Sequence, residues 1–234
     1  MIMVNQIRPQ SPSLTSNSLS IRRLVIGLSI ALLIAPSRCP AGTLPIPQGY
    51  SGARQAFLEK LSAAASERAK LVVRYDSAYV KIPYPHGDVP AGTGVCTDEV
   101  IRSYRALGID LQKEVHEDMR QNFSAYPNQG RWMLARTDTN IDHRRVPNLQ
   151  VFFSRKGESL PVTSNGADYL PGELVTWDLG GNVPHIGIVV NQKSPATGRY
   201  LVEHNIGAGP RVEDVLFSWK ITGHYRYFGP AATQ

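Results

Sequence analysis

The chain has 234 residues, 42% of them hydrophobic and 19% charged, with 25 Lys and Arg against 19 Asp and Glu. That length suits one domain with a sizeable core. The formal charge of +6 is not a nucleic-acid signature, because no basic stripe with interleaved aromatics and no recognised binding motif goes with it.

At the N-terminus, Arg22-Arg23 precede the apolar run 24–35, which Pro36 breaks. A basic region, a short apolar core and a breaker describe an export signal and are too brief for a permanent membrane span. Cys39-Pro40-Ala41 offers the small residues of a cleavage site, so residues 1–41 read as a signal peptide with Gly42 as mature start. Membrane contact is expected only through an uncleaved leader. The leader carries Arg8, Arg22, Arg23 and Arg38 and no acid, so its loss lowers the charge by four, to about +2. Cys96 is then the one thiol of the mature chain, which excludes an intrachain disulfide although export would allow one. Residues 42–52, with Pro45, Pro47 and Gly49, read as a linker, and 53–230 as a single domain expected to be a monomer.

Helices come first. Phe57, Leu61, Ala64, Ala65, Leu71 and Val72 fall mainly at helical spacing and predict a helix over roughly 53–75. Tyr79 to Tyr84 reads as extended, and Pro83 to Asp88 as an irregular approach loop. Val100, Tyr104 and Leu107 make the buried face of a helix opened by Cys96 and stopped by Gly108. Asp110 is the expected cap of a further helix with the face Leu111, Val115, Met119 and Phe123, and Asn148 of a short helix ended by Gly157. After Pro171 the pattern turns to period two and β-branched runs, predicting strands at 173–177, 185–191, 199–205 and 223–228. Turns at Gly180-Gly181-Asn182 and Pro195 to Gly198 make neighbours antiparallel. The expected class is α+β, with a helical half packed on an antiparallel sheet.

This layout places chemistry. Unsatisfied N–H groups and the macrodipole at a helix start favour an anion, so Cys96 there is expected to ionise readily, and the same N–H groups can hold an oxyanion. A thiolate needs a proton shuttle, and His185 stands at the start of a strand in His185-Ile186-Gly187-Ile188. A third group should orient that imidazole. His204 is the expected one, in Glu203-His204-Asn205. Asn205 or Glu203 could serve instead, but strand neighbours point to opposite faces.

Other candidates carry bland readings. His116 lies on a helix and is expected on its wet face. Six histidines invite zinc, but no His-Glu-x-x-His pair and no clustered Cys/His spacing occurs, so neither metal nor cofactor is expected. His143-Arg144-Arg145 reads as a solvated loop; its functional alternative is an Arg144/Arg145 clamp for substrate carboxylates. Trp177 and Tyr169 read as core or rim aromatics.

Cys96 opening a helix, then Pro171-Gly172-Glu173-Leu174-Val175, His185-Ile186-Gly187-Ile188-Val189 and Leu201-Val202-Glu203-His204 together resemble the NlpC-type branch of papain-like cysteine peptidases. Residues from about 55 to 229 look closer still to an exported bacterial family of YijF-like proteins, known only as a domain of unknown function. Gly94-Val95-Cys96-Thr97-Asp98, His116-Glu117-Asp118-Met119 and His204 to Gly209 carry that likeness. The resemblance implies a papain-like fold, a periplasmic place and hydrolysis of an amide in acidic cell-wall stem peptides, at a γ-D-glutamyl or neighbouring bond. In the NlpC branch an upstream tyrosine supports the oxyanion hole, and Tyr84, twelve residues before Cys96, matches its place. Where that branch has Ser-Gly after the cysteine, this chain has Thr97-Asp98, and Asp98 adds negative charge beside the thiol. Two other readings share the scaffold: an inactive peptidoglycan-binding module and a thioester acyltransferase.

Overall fold

The computed structural model describes residues 52–230 other than 128, 129 and 131. The expected leader, Cys39 and most of the linker lie outside the described residues. Helix α1 (Gly52–Arg68) buries Leu58, Leu61, Ser62 and Ala65. It ends seven residues earlier than the apolar spacing predicts, where a tight turn closes through Leu71 N–H to Arg68 O. Leu71 and Val72, predicted on its buried face, are 50% and 96% exposed. The chain then extends into β1 (Arg74–Tyr75), which pairs in parallel with β2 (Thr93–Gly94), Tyr75 opposite Gly94.

Helix α2 (Cys96–Arg105) is covered on every side, all of Cys96 to Tyr104 being buried. Helix α3 (Leu111–Gln121) begins after Asp110 as the sequence predicts, but that carboxylate does not cap it. Asp110 instead accepts the N–H of His86, fixing the approach loop. Helix α4 (Val146–Lys156) starts two residues before Asn148, so Asn148 is inside it and donates to Asp142 O. The 142–144 turn before it is not the solvated loop that its charges predict: it is buried, with His143 at 2% and Arg144 at 7% exposure.

The strands are β3 (Glu158–Ser159), β4 (Leu174–Asp178), β5 (Pro184–Lys193), β6 (Tyr200–Asn205), β7 (Pro210–Glu213) and β8 (Lys220–Arg226). They form a six-stranded sheet in the order β3-β8-β4-β5-β6-β7, antiparallel throughout. Both faces are covered. Ile186, Ile188 and Val190 pack with Leu61, Val100 and Tyr104, whereas Val175, Trp177, Val189 and Val202 pack with Tyr169 and Leu216. Burial on both faces explains why β5 reads as a continuous apolar run. The architecture is therefore mixed α+β, and among the described residues no helix is long and apolar enough to cross a membrane.

Candidate active site

Cys96 is the first residue of α2, held at the helix mouth by its own neighbours. Val95 before it is extended, and Asp98 Oδ2 reaches back to accept the Val95 N–H at 2.7 Å, closing the first turn. Arg144 neutralises that carboxylate from the far side, with Nε 2.8 Å from Oδ1 and Nη2 3.0 Å from Oδ2. Arg144 also donates to Ala78 O, and its own carbonyl accepts the Thr97 hydroxyl. The negative charge beside the thiol is thus paired, and Arg144 is not free to clamp a substrate.

Backbone N–H groups of Ile186, Thr97 and Cys96 itself favour the thiolate. Val189 N–H donates to Glu173 O on the β4 side, so the amides of alternate residues, Ile186 included, face β6. Continuing the pairing Ile188↔Glu203 sets Ile186 opposite Asn205. Cys96 packs in one cluster with Ile186, at the start of β5 where the ladder to β6 has stopped. Burial, with a smaller push from Asp98, drives the thiol up to about 12 despite these N–H groups. The expectation of ready ionisation rests on the helix start alone. The structure leaves Cys96 only 5% exposed, and loss of water dominates.

His185 lies on β5 opposite Trp177, and its Nε2 is 2.8 Å from Nδ1 of His204. His204 Nε2 is in turn 3.0 Å from Glu213 Oε2. Trp177 and Trp219 wall the pair, their ring centroids 5.8 and 6.1 Å from that of His185. Gly187 permits the approach: a Cβ there would meet Glu203 O and Val202 Cγ1 at 2.7 Å and His204 Cβ at 3.2 Å. Burial, and then His204, lowers the His185 imidazole to about 3, so it is a neutral base. His204 is lowered by burial too, an effect that Glu213 opposes.

The remaining expected residues scatter. Tyr84 is 39% exposed and meets His116 edge-on at 5.0 Å, which leaves His116 half-buried rather than on a wet face. The tyrosine that senses the thiol is Tyr75: its phenol is raised by burial first, then by Cys96 and Asp98. Sequence reading misses it because a two-residue strand shows no period, and Tyr75 falls at the end of the helix that the apolar spacing overextends. Arg145 lies 4.4 Å over the Trp132 ring and 3.7 Å from Asp142. Asn205 is buried; its Oδ1 accepts the Gly207 N–H while Nδ2 is unpartnered. Glu203 points to the opposite face from His204, fully buried, with both carboxyl oxygens unpartnered. Burial, then Glu99, raises its carboxyl well above the ordinary range.

Glu173, from the Pro171 to Val175 stretch, has a structural job. Its carboxylate accepts from Leu170 N–H at 2.7 Å and from Arg226 Nε at 2.7 Å, and lies 2.6 Å from His224 Nε2. Among the described residues no cluster of three or more His, Cys, Asp or Glu is placed to hold a metal ion. A separate depression of about 210 Å³, formed by Glu114, Glu117, Phe152 and Lys156 among others, contains none of the Cys96–histidine residues.

Cys96 packs with Ile186 and Ile188 on the helix face of the sheet, whereas the hydrogen-bonded pair His185–His204 lies against Trp177 and Trp219 on the other face, so the expected thiol and histidines flank the start of β5 from opposite sides. The family model of a domain of unknown function, DUF1287, matches residues 62–227, and the chain belongs to that family. It is 54% identical over 154 residues to the uncharacterized protein YijF of Escherichia coli (strain K12), covering 66% of this chain and 74% of that one. No solved structure matches.

Proposed function

We propose that this protein is an exported cysteine amidase with a papain-like, NlpC-type fold, acting in the periplasm on an amide of peptidoglycan stem peptides. One observation carries the reading: at the start of β5, Ile186 packs in one cluster with Cys96, and His185, the residue before it, is hydrogen-bonded to His204 at 2.8 Å. A nucleophile, a base and an orienting group are the parts of acyl transfer.

In the proposed reaction, which requires the His185 ring to reach the helix face of the sheet, its Nδ1 takes the thiol proton as Cys96 Sγ bonds to the carbonyl carbon. The carbonyl electron pair moves to oxygen, and helix-start N–H groups can receive the oxyanion. The C–N bond then breaks, and His185 returns the proton to the leaving amine. Water, deprotonated by His185, cleaves the thioester and restores the thiol. A depression of about 170 Å³, lined by Gln150, Trp177, Asp178 and Pro184 among others, adjoins His185 through its neighbours Pro184 and Trp177 but contains neither His185 nor Cys96. Tyr75, rather than Tyr84, takes the oxyanion-side role in this reading.

A second reading has its own support. A cysteine only 5% exposed, its thiol raised to about 12, also suits a module that binds wall peptides without cutting them. An acyltransferase would use the same acyl-enzyme with an amine or alcohol in place of water. Digesting purified muropeptides and reading the products by mass spectrometry separates the three. New free amines that require Cys96 support the amidase, and transfer products indicate the acyltransferase. Unaltered muropeptides retained on immobilised protein would replace both with the binding module.

A further inference from the structure

The hydrogen-bonded chain does not stop at the second histidine. Glu213 stands on β7, the edge strand, where Arg211 is paired with His204. Two residues further along, Glu213 returns to the same face and reaches His204 diagonally. Its Oε2 lies 3.0 Å from His204 Nε2, and its side chain is 39% exposed at the rim.

A glutamate carboxylate only accepts hydrogen bonds, whereas a neutral imidazole has one donor and one acceptor nitrogen. The direction of the whole chain follows from that end. His204 must donate from Nε2 to Glu213, so its Nδ1 is the acceptor. His185 must then donate from Nε2 to His204, which leaves His185 Nδ1 as the lone-pair nitrogen. We propose that Glu213 is a positioning residue that sets the tautomers of both histidines and thereby makes His185 Nδ1 the base. Its effect on turnover rests on the amidase reading; its effect on the tautomers does not. When the Sγ–H bond of Cys96 breaks and a bond from Nδ1 to that proton forms, the new charge on His185 is stabilised along the two existing hydrogen bonds. No second proton moves.

Glu213→Gln keeps the shape and removes the acceptor-only end, because an amide can also donate. The reversed chain, with both imidazoles carrying hydrogen on Nδ1, then becomes available. Nitrogen-15 NMR of histidine-labelled mature protein reads this without any substrate. In the wild type both His185 and His204 should be Nε2–H tautomers, and in Glu213→Gln both should show a population of Nδ1–H. Glu213→Ala, which leaves His204 Nε2 to water, should lose the single-tautomer state as well. Pure Nε2–H spectra in both variants, or Nδ1–H at His204 in the wild type, would overturn the assignment. Turnover of muropeptides by Glu213→Gln should fall on the order of 10- to 100-fold with KM little changed. A tautomer shift with no turnover even in the wild type would sink the amidase reading and support the role of Glu213.

Discussion

Arg144 grips Asp98 with two hydrogen bonds, 2.8 and 3.0 Å long, directly behind the first turn of the cysteine helix. Both side chains are 2% exposed. Removing one member of a buried pair leaves the other uncompensated, typically at a cost of about 3–5 kcal/mol. Arg144→Ala should therefore lower the stability measured by urea unfolding by about that amount. A loss under about 1 kcal/mol would mean that the pair does not anchor the helix start.

Gly187 should tolerate no side chain. A Cβ at this position would stand 2.7 Å from Glu203 O, a backbone atom that cannot swing aside. Gly187→Ala is expected to destabilise by about 1–3 kcal/mol through overpacking. It should also separate His185 from His204, seen as loss of their shared hydrogen bond in histidine NMR. Wild-type stability in Gly187→Ala would show that β5 and β6 are less tightly apposed.

The strands are legible in the sequence because β4, β5, β6 and β8 carry β-branched and aromatic runs between glycine turns. Cys96 and His185 are readable from local context, a helix start and a strand start. Glu213 is not: β7 is a four-residue strand opening on Pro210, and its partner is fixed only by the β6–β7 register. Arg144 looks solvated because nothing local shows that Asp98, 46 residues earlier, will bury it. Leu71 and Val72 continue an apolar spacing that the backbone has already left, and Asp110 has two uses for one carboxylate.

Stability should fall with acid in a way that His185 partly controls. Its folded value of about 3 lies below the ordinary histidine value, so its contribution is complete above about pH 6.5 and is lost as pH falls toward 3. Buried His143, also lowered to about 3, adds to the same loss, while Asp142, raised to about 6, opposes it. The clean readout is a difference. His185→Gln should flatten the fall in urea-unfolding free energy between pH 6.5 and 4.5 by up to about 1.4 kcal/mol per pH unit. An unchanged slope would mean that His185 titrates normally in the fold.

Tyr75 and Tyr84 can be told apart by single hydroxyl deletions. If Tyr75 borders the reacting carbonyl, Tyr75→Phe should reduce kcat for muropeptide cleavage by roughly 10-fold or more. Tyr84→Phe, at the His116 contact, should leave kcat within about 2-fold. Steady-state kinetics on both variants checks this, and the opposite ranking would return the role to Tyr84.

The central claim is that Cys96 attacks an amide carbon and carries the acyl group. Mature protein mixed with a stem-peptide substrate and quenched in acid within one turnover can be weighed by intact-mass spectrometry. A hydroxylamine-labile acyl adduct on the Cys96 peptide, missing from Cys96→Ser and much reduced in His185→Ala, is the predicted result. Substrate cleavage with no adduct at any time, or undiminished in Cys96→Ala, would contradict it.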